Sequence, residues 1–275
     1  MESLSDPGVD PSVELPVVEP DEGGAVDTHC HLFLMEEEPG EVVAAARAAG
    51  VSRLVCVGID PDSSRRSLEL AESFRGVFAT AGMHPHTASG FDRQAGSVVE
   101  ELLADPLVVG IGETGLDYYR KLSPPEDQQS AFRTHIALSR ETGKPLVVHV
   151  REAWEDAMRI LAEESAERVV LHCFSGDGSL AAEATRRGYF VSFAGNLTYR
   201  NTPNLREAAA TAGEDRLLTE TDSPFLAPQS ERGRPNHPAN AMAVARALSE
   251  IRGVNLDRMV ERTAASALEA FPLLR

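Results

Sequence analysis

The sequence predicts an α/β fold, a TIM-type (β/α)8 barrel in a single domain. Three observations carry that expectation. Eight short apolar runs recur along the chain, a helix-like stretch follows each, and glycines mark where helices hand over to strands. The length of 275 residues suits one such barrel, which takes roughly 250.

The chain opens on MESLSDPGVDPSVELPVVEPDEGG (1–24), rich in Pro, Asp, Glu and Ser without a sustained hydrophobic period. That composition reads as a disordered acidic tail, with the folded domain over 25–275. The apolar runs are AVDTHCHL (25–32), RLVCVGI (53–59), VFATAGM (77–83), LVVGIGE (107–113), PLVVHV (145–150), RVVLHCF (168–174), YFVSFAG (189–195) and RLLTETD (216–222). They are continuously apolar rather than alternating, as strands covered on both faces are. Helical stretches fall at 41–49, 63–74, 94–104, 126–142, 152–164, 178–187 and 203–212, with two more at 239–251 and 255–270. Gly50, Gly76, Gly143, Gly188 and Gly213 each sit past a helix and before a strand, where a left-handed helix end favours glycine. Within EDQQSAFRTHIALSRETG, Phe132, Ile136 and Ser139 form one face, flanked by Ala131, His135 and Leu138. An open doubly wound sheet is the rival architecture. The polar residues at the strand ends decide for the barrel.

The net charge is −17, and residues 1–24 hold seven acidic side chains and no basic one, which leaves −10 for the rest. Such a balance argues against a basic surface that grips long nucleic acid. Cations held in a cleft still attract phosphate locally. Cys30, Cys56 and Cys173 lie inside apolar runs and form no disulfide framework, which fits a reduced, cytoplasmic setting. No apolar run reaches the roughly 20 residues of a membrane span, and no basic-then-apolar leader signals secretion. A membrane or protein partner is not expected.

Chemistry in a TIM-type barrel sits where the strands end. His29 and His31 close the first run, His84 follows the third, Glu113 closes the fourth, His149 the fifth, His172 the sixth and Asp222 the eighth. His29 and His31 are two apart, so in a strand they point the same way and can share a cation. Cys30 between them points elsewhere. Glu113 has two oxygens and can bridge two cations roughly 3.5–4 Å apart. Asp222 completes the first site and can take a proton from a bound water. His149 and His172 hold the second cation. A cation so placed lowers the pKa of its water toward roughly 7. Any one of these residues has a plainer reading: a core histidine on a carbonyl, a helix cap, an ion pair with arginine. Their coincidence at strand ends favours a metal site. The chain has only two lysines, Lys121 in a loop and Lys144 at the far end of the fifth run, so a carboxylated lysine is not the bridge.

VDTHCHL (26–32), GMHPH (82–86), IGETGLDYY (111–119), VVHVRE (147–152), LHCFSG (171–176), TETDSPF (219–225) and RGRPNHP (232–238) together resemble the TatD family of metal-dependent deoxyribonucleases, in the family's order over about 25–270. The resemblance implies a TIM-type barrel of the amidohydrolase superfamily, two divalent cations, and hydrolysis of DNA phosphodiesters, often exonucleolytic and here expected as 3′–5′. By matching motifs it implies His29 and His31 as first-strand ligands, Glu113 as the bridging carboxylate, His149 and His172 as second-site ligands, and Asp222 as the last-strand aspartate. Asp222 and Glu113 are the expected catalytic pair. The acidic tail and the scarcity of lysine depart from the family pattern. Four imidazoles and two carboxylates suit Zn²⁺, Mn²⁺, Ni²⁺ or Fe²⁺ better than Mg²⁺, while the resemblance brings in Mg²⁺ as well.

His84 is expected to contact a phosphate or a further metal, and His86 to be an ordinary loop histidine beside Pro85. Arg151, two past His149, can bond a phosphate bidentately. Glu220, two before Asp222, is expected to support a ligand. Asp117, Tyr118 and Tyr119 fall on the loop after the fourth run, where Tyr118 can stack on a base. Ser175, Gly176 and Asn196 can bond substrate. Trp154 and Met158, at helical spacing, read as core. DNA, in single strands or at 3′ ends, is the expected partner. Two rivals stand beside the nuclease reading: the same metal pair opening an amide, ester or lactone, and a binding protein with a vestigial site.

Overall fold

In the computed structural model, residues 23–274 are described. The acidic-tail reading falls outside them, apart from Gly23 and Gly24, which lead into the first strand. The strands are β1 (Ala25–Cys30), β2 (Val51–Val57), β3 (Val77–Ala81), β4 (Val108–Asp117), β5 (Leu146–Arg151), β6 (Val169–Leu171), β7 (Phe190–Phe193) and β8 (Leu217–Thr219). Between them run α1 (Pro39–Ala48), α2 (Pro61–Ser73), α3 (Arg93–Leu102), α4 (Pro125–Thr142), α5 (Trp154–Glu163), α6 (Gly178–Arg186) and α7 (Pro203–Thr211), and α8 (Ala241–Arg252) and α9 (Leu256–Ala270) follow β8. The strands lie in sequence order and pair in parallel. The (β/α)8 expectation therefore holds, and the doubly wound alternative fails.

The sheet closes on itself between β8 and β1. Asp222 N–H donates to the His29 carbonyl and His31 N–H to the Ser223 carbonyl, both at 2.8 Å. Thr28 Oγ1 donates to the Thr219 carbonyl and Thr219 Oγ1 to the Val26 carbonyl. Two hydroxyls thus replace ladder bonds that a three-residue β8 is too short to supply.

The amphipathic reading of α4 holds: Ala131, Phe132, His135, Ile136, Leu138 and Ser139 are all buried. Gly50, Gly76, Gly143 and Gly188 have positive φ, as their positions require. Gly213 does not: at φ −56° it opens a short 3-10 turn instead. Two cores result. The larger joins the outer strand faces to the helices and contains Cys30 and Cys56. The smaller gathers Val26, Val55, Val57, Val109, Val147, Val170 and Leu218 with Ala267, Ala270, Phe271 and Leu274. The segment after β8 therefore returns to plug the end of the barrel where strands begin. Among the described residues, no helix is long and apolar enough to cross a membrane.

Candidate metal centre

At the other end, polar side chains converge. Their positions follow from how β4 and β1 are built. Glu113 lies mid-strand in β4, not at its end as the sequence suggested, because β4 continues to Asp117. Gly112 and Gly115 allow this: both have φ in the range that side chains rarely adopt (+141° and +130°), and a Cβ on either would collide with the β5 backbone at Val147 or His149. Glycine at both places lets β4 press against β5 and carry Glu113 inward. In β1 the register with β2 shifts between Asp27 and Cys30. Beyond that shift His29 and His31 face the site while Cys30 joins the outer core.

The two oxygens of Glu113 face different partners. Oε2 lies 3.4 Å from His29 Nε2 and 3.8 Å from His31 Nε2. Asp222 Oδ1 closes that group at 3.8 and 3.4 Å from the same two nitrogens. Oε1 lies 3.0 Å from His149 Nδ1 and 3.1 Å from His172 Nε2, which are 3.3 Å from each other. His84 Nε2 is 3.3 Å from the same oxygen. Donors about 2.0–2.2 Å from a shared cation stand roughly 3–4 Å apart, so both spacings fit a cation. All six expected ligands, together with His84, therefore meet.

The outer nitrogens of two imidazoles, His31 and His172, have hydrogen-bond acceptors, and that of a third faces a carboxylate at ion-pair distance. His31 Nδ1–H donates to the Val57 carbonyl at 2.8 Å. His172 Nδ1 faces Glu220 Oε1 at 3.2 Å, and His149 Nε2 faces Asp117 Oδ2 at 3.5 Å. A proton on each outer nitrogen leaves a lone pair on the inner one, which is the tautomer a metal ligand needs. His29 Nδ1, like His149 Nε2, is buried without a hydrogen-bond partner, and the His29 ring stacks on His172 with centroids 3.8 Å apart.

Electrostatics agree with a cation-binding arrangement. Burial opposes ionisation of Glu113, but the imidazoles of His84, His172 and His149 hold its carboxyl well below the usual range. Asp222 is likewise held down against burial, chiefly by His31. Burial lowers His29, with His172 adding to it, and pushes His84 down to about 4. For His31, His149 and His172 the surrounding carboxylates outweigh burial and raise the imidazole.

Other expected contacts divide. A cavity of about 490 Å³ opens over the centre, lined by Arg151, Asn196 and Ser175 as well as His149, His172 and Asp222. Gly176 does not line it: its neighbours are Phe174 and Leu180. Tyr118 is not there either. Its hydroxyl donates to Asp156 at 2.8 Å and accepts from Gln129, which turns the ring toward α4 and α5. Trp154 lies against Phe174 with tilted rings and packs on the core, and Met158 is buried, as expected. Glu220 bonds His172 and the Cys173 N–H, the supporting place expected of it. His86 lies on the cavity wall and pairs with Asp117 Oδ2 at 2.7 Å, so it is not a plain loop residue.

Asp117 and Asp27 are residues that sequence reasoning underrated. Asp117 ends β4, holds His86 and His149, and accepts from the Tyr119 and Arg120 N–H groups. Its spacing of four from Glu113 was the signal, had the strand been extended. Asp27 is fully buried and ties β1 to the segment just after β8 by accepting from His29 N–H, Thr221 N–H and Thr221 Oγ1–H. Burial pushes its carboxyl up to about 8. A carboxylate two before a ligand histidine, in VDTH, marks it.

A family model described as TatD related DNase matches residues 26–272. An uncharacterized metal-dependent hydrolase, YabD of Bacillus subtilis, is 36% identical over 249 residues, covering 89% of this chain and 98% of that protein. A protein of Erwinia amylovora named 3′-5′ ssDNA/RNA exonuclease TatD is 35% identical over 241 residues, covering 85% and 93%. Among solved structures, that of YJJV, a TatD homolog from Escherichia coli, superposes with a TM-score of 0.86 at 26% identity, covering 92% of this chain and 99% of that one.

Proposed function

The chain belongs to the TatD-related DNase family and is a metal-dependent hydrolase, and from that premise we propose that it cleaves phosphodiester bonds of DNA as a 3′–5′ exonuclease. The observation that carries this reading is the division of Glu113: one oxygen faces His29, His31 and Asp222, the other His149 and His172. We assign one divalent cation to each set, with Glu113 shared. Bound there, divalent cations supply positive charge to a phosphoryl group in transition and make water a stronger acid.

The chain's own residues do the rest. Asp222 sits at the cavity wall and is held ionised, so its carboxylate is the group placed to take the proton of the attacking water. That water's oxygen bonds phosphorus as the bond to the leaving sugar oxygen breaks. Glu220 and Asp117 hold His172 and His149 with their inner lone pairs facing Glu113. Arg151 and Asn196 line the space where the substrate lies. The named relative supports single strands as substrate. We place the reaction in the cytoplasm, in keeping with three unpaired cysteines, and assign it to one domain over 25–275 with 1–24 as an appendage.

Digestion of short single-stranded DNA with Zn²⁺, Mn²⁺, Ni²⁺, Fe²⁺ or Mg²⁺, with and without chelator, tests the reading, alongside a panel of esters, amides and lactones. The expected result is chelator-sensitive release of nucleotides from 3′ ends and two metal equivalents by elemental analysis. Cleavage that ignores chelator, or turnover confined to the ester, amide and lactone panel, overturns it.

A further inference from the structure

Two exposed features line the cavity, one beside each donor set, and the metal centre alone explains neither. The first is Phe225. It is 53% exposed. Its backbone is nonetheless fixed: its N–H donates to the Asp222 carbonyl at 2.8 Å, and Ser223 before it is buried and bonded to Thr221. Its ring lines the cavity 6.2 Å from that of His31, beside the first donor set. The second is Arg151, beside the other donor set. It is exposed, lines the cavity, and lies 4.0 Å over the ring of Tyr119, itself 57% exposed. Among the described residues Arg151 has no carboxylate within ion-pairing distance. Arg133, Arg159, Arg187 and Arg216, away from the cavity, are each paired with a carboxylate. An unpaired guanidinium with one face on an aromatic ring keeps its edge donors for an anion.

We propose that the mouth grips a nucleic-acid end from two sides of the scissile phosphate: Phe225 stacks on the base of the nucleoside on one side, and Arg151, braced by Tyr119, holds the phosphate on the other. The division follows the placement, with an apolar face beside His31 and Asp222 and a cation beside His149. Stacking uses the π-face that every base has, so Phe225 confers grip without sequence preference. The inference rests on the phosphodiesterase reading and adds to it a base-dependent contact and a base-independent one.

The test separates the two. Initial rates at subsaturating substrate are measured for wild type, F225A, F225W and R151Q. The substrates are a short single-stranded oligonucleotide and the same oligonucleotide made abasic at its terminal residues, each at several salt concentrations. F225A is expected to lose about tenfold or more in kcat/KM on the normal end, to lose no more than about twofold on the abasic end, and to be restored by F225W. R151Q is expected to lose activity on both ends alike and to flatten the salt dependence by about one charge. A loss in F225A that is equal on both ends, or absent from both, overturns the stacking assignment. An unchanged salt slope in R151Q overturns the phosphate assignment. Wild-type protein that cleaves neither oligonucleotide yet turns over an ester sinks the nuclease reading itself, and this inference with it.

Discussion

Where the strands begin, Val26, Val109, Val147 and Val170 close on Phe271 and Leu274, and the lumen is filled with hydrocarbon. Where they finish, five imidazoles and two carboxylates converge, each within about 4 Å of at least one other member of the group. The same eight strands supply both ends. A barrel end closed by apolar side chains stabilises through area removed from water. Buried ionisable groups bring a desolvation cost and are retained where they do something else. Between the two regions lies Asp27, tying His29 to Thr221 and so linking β1 to the segment that follows β8. The lower end carries stability and the upper end carries chemistry, and the two should be separable by mutation.

The sharpest break of that comparison is Glu113→Gln. It keeps the shape but removes the charge that both donor sets share. Activity should fall on the order of 10³-fold, the scale of losing one preorganised electrostatic contact, and elemental analysis should find fewer than two metals. An E113Q protein with full activity and two metals would contradict the division of the two ends. The mirror experiment is Phe271→Ala. Phe271 is completely buried, so its truncation should cost about 3–5 kcal/mol, read as a drop in Tm or in urea midpoint. At low temperature the metal content and kcat should stay near wild type. A variant that loses its metals along with its stability would show that the ends are coupled.

What the sequence made legible, and what it did not, follows the same line. The lower and outer core could be read because β-branched runs and glycine helix ends are local signals; Val51–Val57 and Gly143 declare themselves. The six residues that meet at the centre were legible because each is an ionisable side chain at or beside an apolar run. Placement failed where backbone geometry departs from regular pleating. The glycines of IGETG read as a strand end, whereas they let β4 run on to Asp117. Tyr118 was mistaken for a cavity residue because nothing local reveals that Asp156, on a distant helix, takes its hydroxyl. Phe271 as a plug was invisible, since its partners on the strands are 53 to 245 residues away along the chain.

Within the upper end, Glu220→Gln sharpens the comparison by weakening a support without touching a ligand. Its carboxylate takes the Nδ1 side of His172 and the Cys173 N–H. Supports of this kind are worth roughly 10–100-fold in metal affinity. Titration against a chelator should show that loss, with Tm of the metal-free protein little changed. Unaltered affinity would mean that His172 is oriented by packing alone, through its stack on His29.

The smallest expected effect concerns a histidine that belongs to neither end. His135 on α4 is fully buried, with its Nδ1 on the Ala131 carbonyl and its Nε2 accepting from the Met83 N–H. Unlike His31, His149 and His172, it has no carboxylate to favour its charged form, and burial pushes it down to about 4 from 6.5. The unfolded chain therefore takes up a proton below about pH 6.5 that the folded chain refuses until about pH 4. His135 thus contributes stability that is present above the unfolded value and lost as pH falls through that window. Between pH 7.5 and 5.5 the loss from this group alone should be about 1 kcal/mol. His135→Gln keeps an acceptor for the Met83 N–H and cannot titrate, so the variant should be less stable at neutral pH but flatter with acid. Urea midpoints of the two proteins at each pH give the difference directly. Parallel pH curves would mean that His135 is protonated in the fold, and that burial there is less complete than its packing against Phe91 indicates.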